Sequence, residues 1–148
     1  MTPLFKRLNL KDQAEIFVLN APASFETELV RLDAHRIVRD PQKITSVEFA
    51  IAFAITQADL DKASELLTAK AEGDAILWIA YPKGTSKRYK CEFNRDSGWT
   101  VLGAAGFESV RMVAIDEDWS ALRFRRVDYI KKMTRDPGRM SSGRRATR

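Results

Sequence analysis

The sequence predicts a three-layer α/β fold built on a mostly parallel sheet of about six strands, and three observations carry the prediction. Ala75 to Lys83 (AILWIAYPK) is an unbroken apolar run closed by a proline, the pattern of a strand covered on both faces and hence of a parallel sheet between helices. Strand-like runs alternate with helical patterns as far as Gly106, which implies right-handed crossovers between parallel strands. Beyond it, two further strand-like runs flank an acidic turn and read as a hairpin. Together these give the strand order 2-1-3-4-6-5, with the last strand antiparallel beside the fourth.

Each element has its own local reason. Met1 to Gln13 is polar with a few apolar anchors, Leu4, Phe5, Leu8 and Leu10, and packs as a short helix or an arm. Ala14 to Leu19 (AEIFVL) is β-branched and aromatic and stops at Asn20-Ala21-Pro22, so it is the first strand. A helix is predicted from Phe25 to Ala34, with Ser24 as N-cap, acids in its first turn and Phe25, Leu29 and Leu32 on one face. Arg36 to Arg39 is a short strand halted by Asp40-Pro41.

Val47 to Ile55 (VEFAIAFAI) is the third strand, and Thr56 then caps a helix that is predicted to run to Gly73. After the central strand, Asn94 to Gly106 holds a third helix weakened by Gly98 and Gly103. Ser109 to Ile115 and Ala121 to Tyr129 form the hairpin, with Asp116 to Ser120 as its turn. Alternation sends Leu122, Phe124 and Arg126 to one face of the last strand and Arg123 and Arg125 to the other.

Composition bounds the organisation. The chain has 148 residues, 45% of them hydrophobic, enough for one compact domain over residues 1–130. The net charge of +5 is not spread evenly. Residues 131–148 carry seven cations against Asp136, a net +6 that leaves the body at −1, so the basicity belongs to a Gly/Ser/Arg-rich tail expected to be flexible and solvated. Such a tail could make weak, salt-dependent contacts with nucleic acid by charge neutralisation. No apolar run approaches the roughly 20 residues of a membrane span, and the start has no signal-peptide pattern. The single cysteine, Cys91, cannot form an intrachain disulfide, and the expected compartment is the cytoplasm. A Cys91–His35 nucleophile pair is disfavoured by the distance in sequence between them.

The richest chemistry lies in the loop after the central strand, Tyr81 to Lys90, which carries four cations, two hydroxyls and two tyrosines. Ligands of open α/β sheets sit outside the carboxyl ends of the strands, where this loop is predicted to be. Lys83, Ser86, Lys87 and Arg88 could hold a carboxylate or phosphate by charge-assisted hydrogen bonds while Tyr81 or Tyr89 stacks on a ring. The competing reading is a solvated loop balanced by Glu92 and Asp96. Asp116 is expected to approach the loop and pair with Lys83, Lys87 or Arg88, a structural role favoured over metal binding because calcium-loop spacing is absent. Trp78 reads as core, whereas Trp99 and Trp119 flank the crevice as core or as ligand platforms. The candidate ligand-binding set is therefore Tyr81, Lys83, Ser86, Lys87, Arg88, Asp116 and Trp119, with no catalytic or metal-binding residue assigned.

Four blocks, FVLNAP, VEFAIAF, LWIAYPK with its following Ser-Lys, and VAIDEDWSALRFRR, occur in an order that resembles a family of small bacterial proteins known as a domain of unknown function. The layout also resembles a reduced S-adenosylmethionine-dependent methyltransferase fold, a Rossmann-like architecture. The resemblance spans Ala14 to Val127 and implies a fold rather than an activity. Against an ordinary cofactor site stands the turn after the first strand, Asn20-Ala21-Pro22-Ala23-Ser24: it has no glycine, and Pro22 lacks an amide donor. No cofactor is predicted. The sequence is thus read as a non-catalytic Rossmann-like protein that binds an anionic small molecule or a protein partner at the carboxyl-end crevice. The alternatives are a divergent methyltransferase-like enzyme or nucleic-acid binding through the tail.

Overall fold

The computed structural model describes residues 2–130, so the expectations for the basic tail lie outside the described residues. The elements run α1 (Pro3–Arg7), β1 (Glu15–Leu19), α2 (Ala23–Leu29), β2 (Arg36–Val38), β3 (Val47–Phe53), α3 (Gln57–Lys70), β4 (Ala71–Pro82), α4 (Thr100–Ala104), β5 (Phe107–Ala114) and β6 (Trp119–Arg126). A single 3-10 turn, Pro41–Lys43, follows β2, and another, Val127–Tyr129, follows β6.

The six strands form one sheet in the order β2-β1-β3-β4-β6-β5, as the sequence predicts. β2, β1, β3 and β4 are mutually parallel, and β6 runs antiparallel to both β4 and β5. Strand alternation divides the core between two faces. Phe17, Ala50, Ala52, Leu77, Ile79, Leu122 and Phe124 point to α3 and α4, where Leu60, Ala63, Leu67 and Leu102 complete one cluster. Ile16, Val18, Phe49, Ile51, Trp78 and Ala121 point the other way, to Leu4, Phe5, Phe25 and Leu29 of α1 and α2. Helices on both faces make three layers. Trp78 is fully buried, and its indole Nε1–H donates to the Leu8 carbonyl at 2.9 Å, tying the N-terminal segment to the centre of the sheet.

Several boundaries differ from expectation, each for a local reason. α2 starts at Ala23, with Pro22 rather than Ser24 at its N-cap, and it ends at Leu29. A tighter turn follows, in which the Leu32 amide donates to the Leu29 carbonyl, so Leu32 still reaches the core without further α-helix. α3 is capped as predicted, with Thr56 Oγ1 accepting from the Asp59 amide at 3.0 Å, but it stops at Lys70 instead of Gly73. Ala71 is already extended, and Gly73, at φ +57, sits in an irregular start to β4, between the pairings Val47↔Ala71 and Phe49↔Ile76.

The third helix is only α4, because Asn94 to Gly98 forms a turn in which Asn94 Oδ1 accepts from the Asp96 amide at 2.8 Å. In the hairpin, Trp119 and Ser120 belong to β6 rather than to the turn. β6 alternates as expected. Arg126 lies 4.8 Å over the Phe107 ring, and Arg125 pairs with Asp74 at 2.7 Å on the opposite face.

Candidate functional site at the carboxyl ends of the strands

β1, β3 and β4 release their carboxyl ends side by side. β1 ends in Asn20, whose φ of +59 places the backbone in the left-handed region that asparagine tolerates better than most residues. The turn expected to need glycine is therefore made by Asn20. β3 ends with the Ala54 amide donating to the Ala80 carbonyl of β4, and Ile55, whose carbonyl accepts from the Glu92 amide, leads directly into the Thr56 cap of α3.

The loop after β4 is held by Asp118 and Ser86. The Lys83 amide donates to the Asp118 carbonyl at 2.8 Å, and Ser86 Oγ donates to Asp118 Oδ1 at 2.8 Å while accepting from the Arg88 and Tyr89 amides, both at 3.2 Å. Arg88 Nε lies 3.6 Å from Asp118 Oδ2. The ion pair expected of Asp116 is thus made by Asp118. Asp116 is committed elsewhere, as its Oδ1 accepts from the Asp118 and Trp119 amides at 2.8 and 2.9 Å and its Oδ2 accepts from Ser24 Oγ at 3.2 Å. An aspartate at the start of a turn binds its own backbone first, which leaves the next turn carboxylate to face the loop. The Ser24–Asp116 bond joins α2 to the hairpin turn across 92 positions of sequence.

Around this scaffold three adjoining hollows open. The first, ≈ 330 Å³, lies over β1 and β3 and is walled by Asn20, Pro22, Phe53, Ile55, Asp59, Tyr89 and Trp119. The second, ≈ 430 Å³, shares Pro22, Tyr89 and Trp119 with it and reaches Ser24, Arg88 and the acidic turn. The third is a groove of ≈ 910 Å³ that follows the loop from Tyr81 to Arg95 and reaches Met112 and Ser120. Tyr89 lines all three.

The sequence-predicted residues are therefore brought together, in different capacities. Lys83, Lys87 and Arg88 line the groove, and Ser86 works inside the loop as its hydrogen-bond hub. Tyr81 forms the buried floor: its ring packs on Phe93 and Trp99, its hydroxyl donates to Met112 Sδ at 3.5 Å, and burial pushes its pKa up. Trp119 is 3% exposed, wedged 5.1 Å from Phe53 and 5.0 Å from Tyr89, so it supplies a wall more than an open stacking face. Phe53 and Ile55 at the end of β3 and Asp59 in the first turn of α3 are not among the sequence-predicted site residues, and Asp118, read from sequence only as one carboxylate of the acidic turn, takes the pairing role expected of Asp116. The rule that ligands gather beyond strand carboxyl ends points to the first three, while only the folded turn separates Asp118 from Asp116.

Cys91 lines the groove, but burial raises its thiol pKa, which keeps it protonated and weakly nucleophilic. His35 precedes β2, at the end of the parallel strands opposite Cys91, and its Nε2 lies 2.8 Å from the Lys11 carbonyl oxygen, so no Cys–His pair forms. Among the described residues no three His, Cys, Asp or Glu side chains converge as a metal-binding group, and no helix is long and apolar enough to cross a membrane.

No protein-family model and no curated protein matches this chain. Solved structures do match. A SAM-dependent methyltransferase from Aquifex aeolicus aligns over 82% of this chain and 86% of its own, with a TM-score of 0.55 and 15% identity. The fold is that of the S-adenosylmethionine-dependent methyltransferases. The N-methyltransferase NodS from Bradyrhizobium japonicum WM9, in complex with S-adenosyl-L-homocysteine, aligns over 82% of this chain and 83% of its own, with a TM-score of 0.51 and 12% identity. A possible exported protein from Bordetella parapertussis covers 82% and 65% of the two chains, with a TM-score of 0.53 and 9% identity. What the chain shares with these three structures is the Rossmann-like architecture.

Proposed function

We propose that the chain is a divergent methyltransferase-like enzyme that takes an S-adenosylmethionine-type ligand in the two adjoining hollows over β1 and β3. The observation that carries the reading is the turn after β1: Asn20, at φ +59, makes without glycine the reversal that opens the first hollow between Pro22, Phe53 and Trp119. The fold neighbours support this enzymatic alternative over the non-catalytic reading of the sequence.

The residues present suit such a ligand. S-adenosylmethionine carries no phosphate, so the amide donor that Pro22 lacks is not needed for a pyrophosphate. Phe53, Ile55, Tyr89 and Trp119 offer apolar and aromatic wall for a purine, and Asp59, exposed in the first turn of α3, offers a carboxylate to ribose hydroxyls or to a positive sulfonium. When bound, the ligand supplies an electrophilic methyl group. The protein's part is to hold it against the acceptor and keep water out. The LWIAYPK and VAIDEDWS blocks belong to the same reading, since they provide the loop, the turn and Trp119 around the hollows. A small bacterial family working in the cytoplasm is the setting we propose for them.

Isothermal titration of the full-length protein with S-adenosylhomocysteine and S-adenosylmethionine tests this. Saturable one-to-one binding is expected, weakened about tenfold, the equivalent of about 1.4 kcal/mol, by Tyr89→Ala and by Asp59→Ala. Folded protein that gives no heat with either ligand would overturn the proposal.

A further inference from the structure

The groove along the β4 loop has a charge imbalance that the adenosyl reading does not use. Its lining holds five cations, Lys83, Lys87, Arg88, Lys90 and Arg95, against one acid, Glu92. That acid is committed to the start of α3, where Glu92 Oε1 accepts from the Gln57 amide at 2.9 Å. Arg88 lies beside Asp118, and Arg95 beside Asp96 at 3.7 Å. Lys83, Lys87 and Lys90 have no acidic partner among the described residues.

Lone surface lysines are ordinarily just solvated, but these three share a concave space, and a cleft lined by one sign of charge concentrates counter-ions. Two further features argue for a ligand. The loop is fixed by the Ser86 and Asp118 hydrogen bonds, so the ammonium groups extend from an ordered backbone rather than a loose one. The groove also has an apolar side, with half-exposed Tyr89 and the exposed Met112 above the buried Tyr81 and Phe93.

We infer that this groove binds a small anion with an apolar body, a carboxylic acid or a phosphate ester. Its acid group is held by Lys83, Lys87 and Lys90, and its body lies on Tyr89 and Met112. The site stands independently of the adenosyl ligand, although Tyr89 is the shared wall through which the two would meet.

The test is an amide chemical-shift titration of the full-length protein with phenyl phosphate, benzoate and inorganic phosphate in parallel. Saturable shifts are expected in residues 81–95 with phenyl phosphate, with benzoate, or with both, and the stronger of the two identifies the acid group. The combined substitution Lys83→Gln, Lys87→Gln and Lys90→Gln should weaken the affinity at least tenfold, while Arg139→Gln, Arg144→Gln and Arg145→Gln should leave it unchanged. Absence of saturable shifts with both organic acids would overturn the site. So would affinity that follows the tail arginines instead of the three lysines, and inorganic phosphate binding as tightly as the organic acids would contradict the apolar part.

Discussion

Asp74 and Arg125 form a two-pronged ion pair on the sheet, with guanidinium-to-carboxylate hydrogen bonds of 2.9 and 2.7 Å. These bonds, with the charge of Arg125 behind them, hold the Asp74 carboxyl below its ordinary pKa of 3.8. A depressed carboxyl binds its proton less tightly folded than unfolded, so the pair's contribution is complete above the unfolded value and is lost as pH falls through the folded one. Both side chains are about one-third exposed, 35% and 33%, so screening limits the gain to roughly 0.5–1 kcal/mol. Asp74→Asn should therefore cost about that much in urea unfolding at neutral pH, and the gap should shrink at about pH 3. An equal difference at both pH values would show that the substitution acts through something other than charge. Residue roles of this kind are the least legible in sequence. Asp116 and Asp118 are the same residue type two positions apart in one acidic turn, and nothing in their spelling says that the first binds backbone amides and the second the basic loop.

At the scale of elements, the strands were legible and, apart from the Thr56 cap of α3, the helix ends were not. β1, β3 and β4 announce themselves because burial on both faces demands continuous apolar sequence. Helix ends depend on backbone geometry that composition only suggests. Gly73 reads as a helix stop but is used for a left-handed residue inside β4, and the glycine that matters more structurally is Gly98. At φ +102, an added Cβ there would sit 2.8 Å from Phe93 Cβ and 2.9 Å from Gln57 Oε1, and the Gly98 carbonyl accepts from Gln57 Nε2 at 2.9 Å. Gly98→Ala should thus destabilise the protein by about 1–3 kcal/mol in chemical denaturation, through strain and overpacking together. An unchanged midpoint would mean that the 94–98 turn is not packed against α3 as described.

On the scale of the whole molecule, topology is what makes a site. Parallel β1, β3 and β4 deliver their carboxyl ends to one edge, and the antiparallel hairpin returns its acidic turn to that same edge, where Ser24, Asp116, Asp118 and Ser86 lock the loops together. The strand order was readable because alternation and a terminal hairpin admit few arrangements. The hollows were not, because Asn20, Asp59, Tyr89 and Trp119 come from four distant stretches, and the missing glycine in the turn after β1 argues against a cofactor there. A crystal structure of the protein grown with S-adenosylhomocysteine decides whether these hollows are the adenosyl site. The ligand is expected between Asn20, Asp59, Tyr89 and Trp119, over the carboxyl ends of β1 and β3. Ligand bound anywhere else, or those hollows empty at a saturating concentration, would contradict that placement.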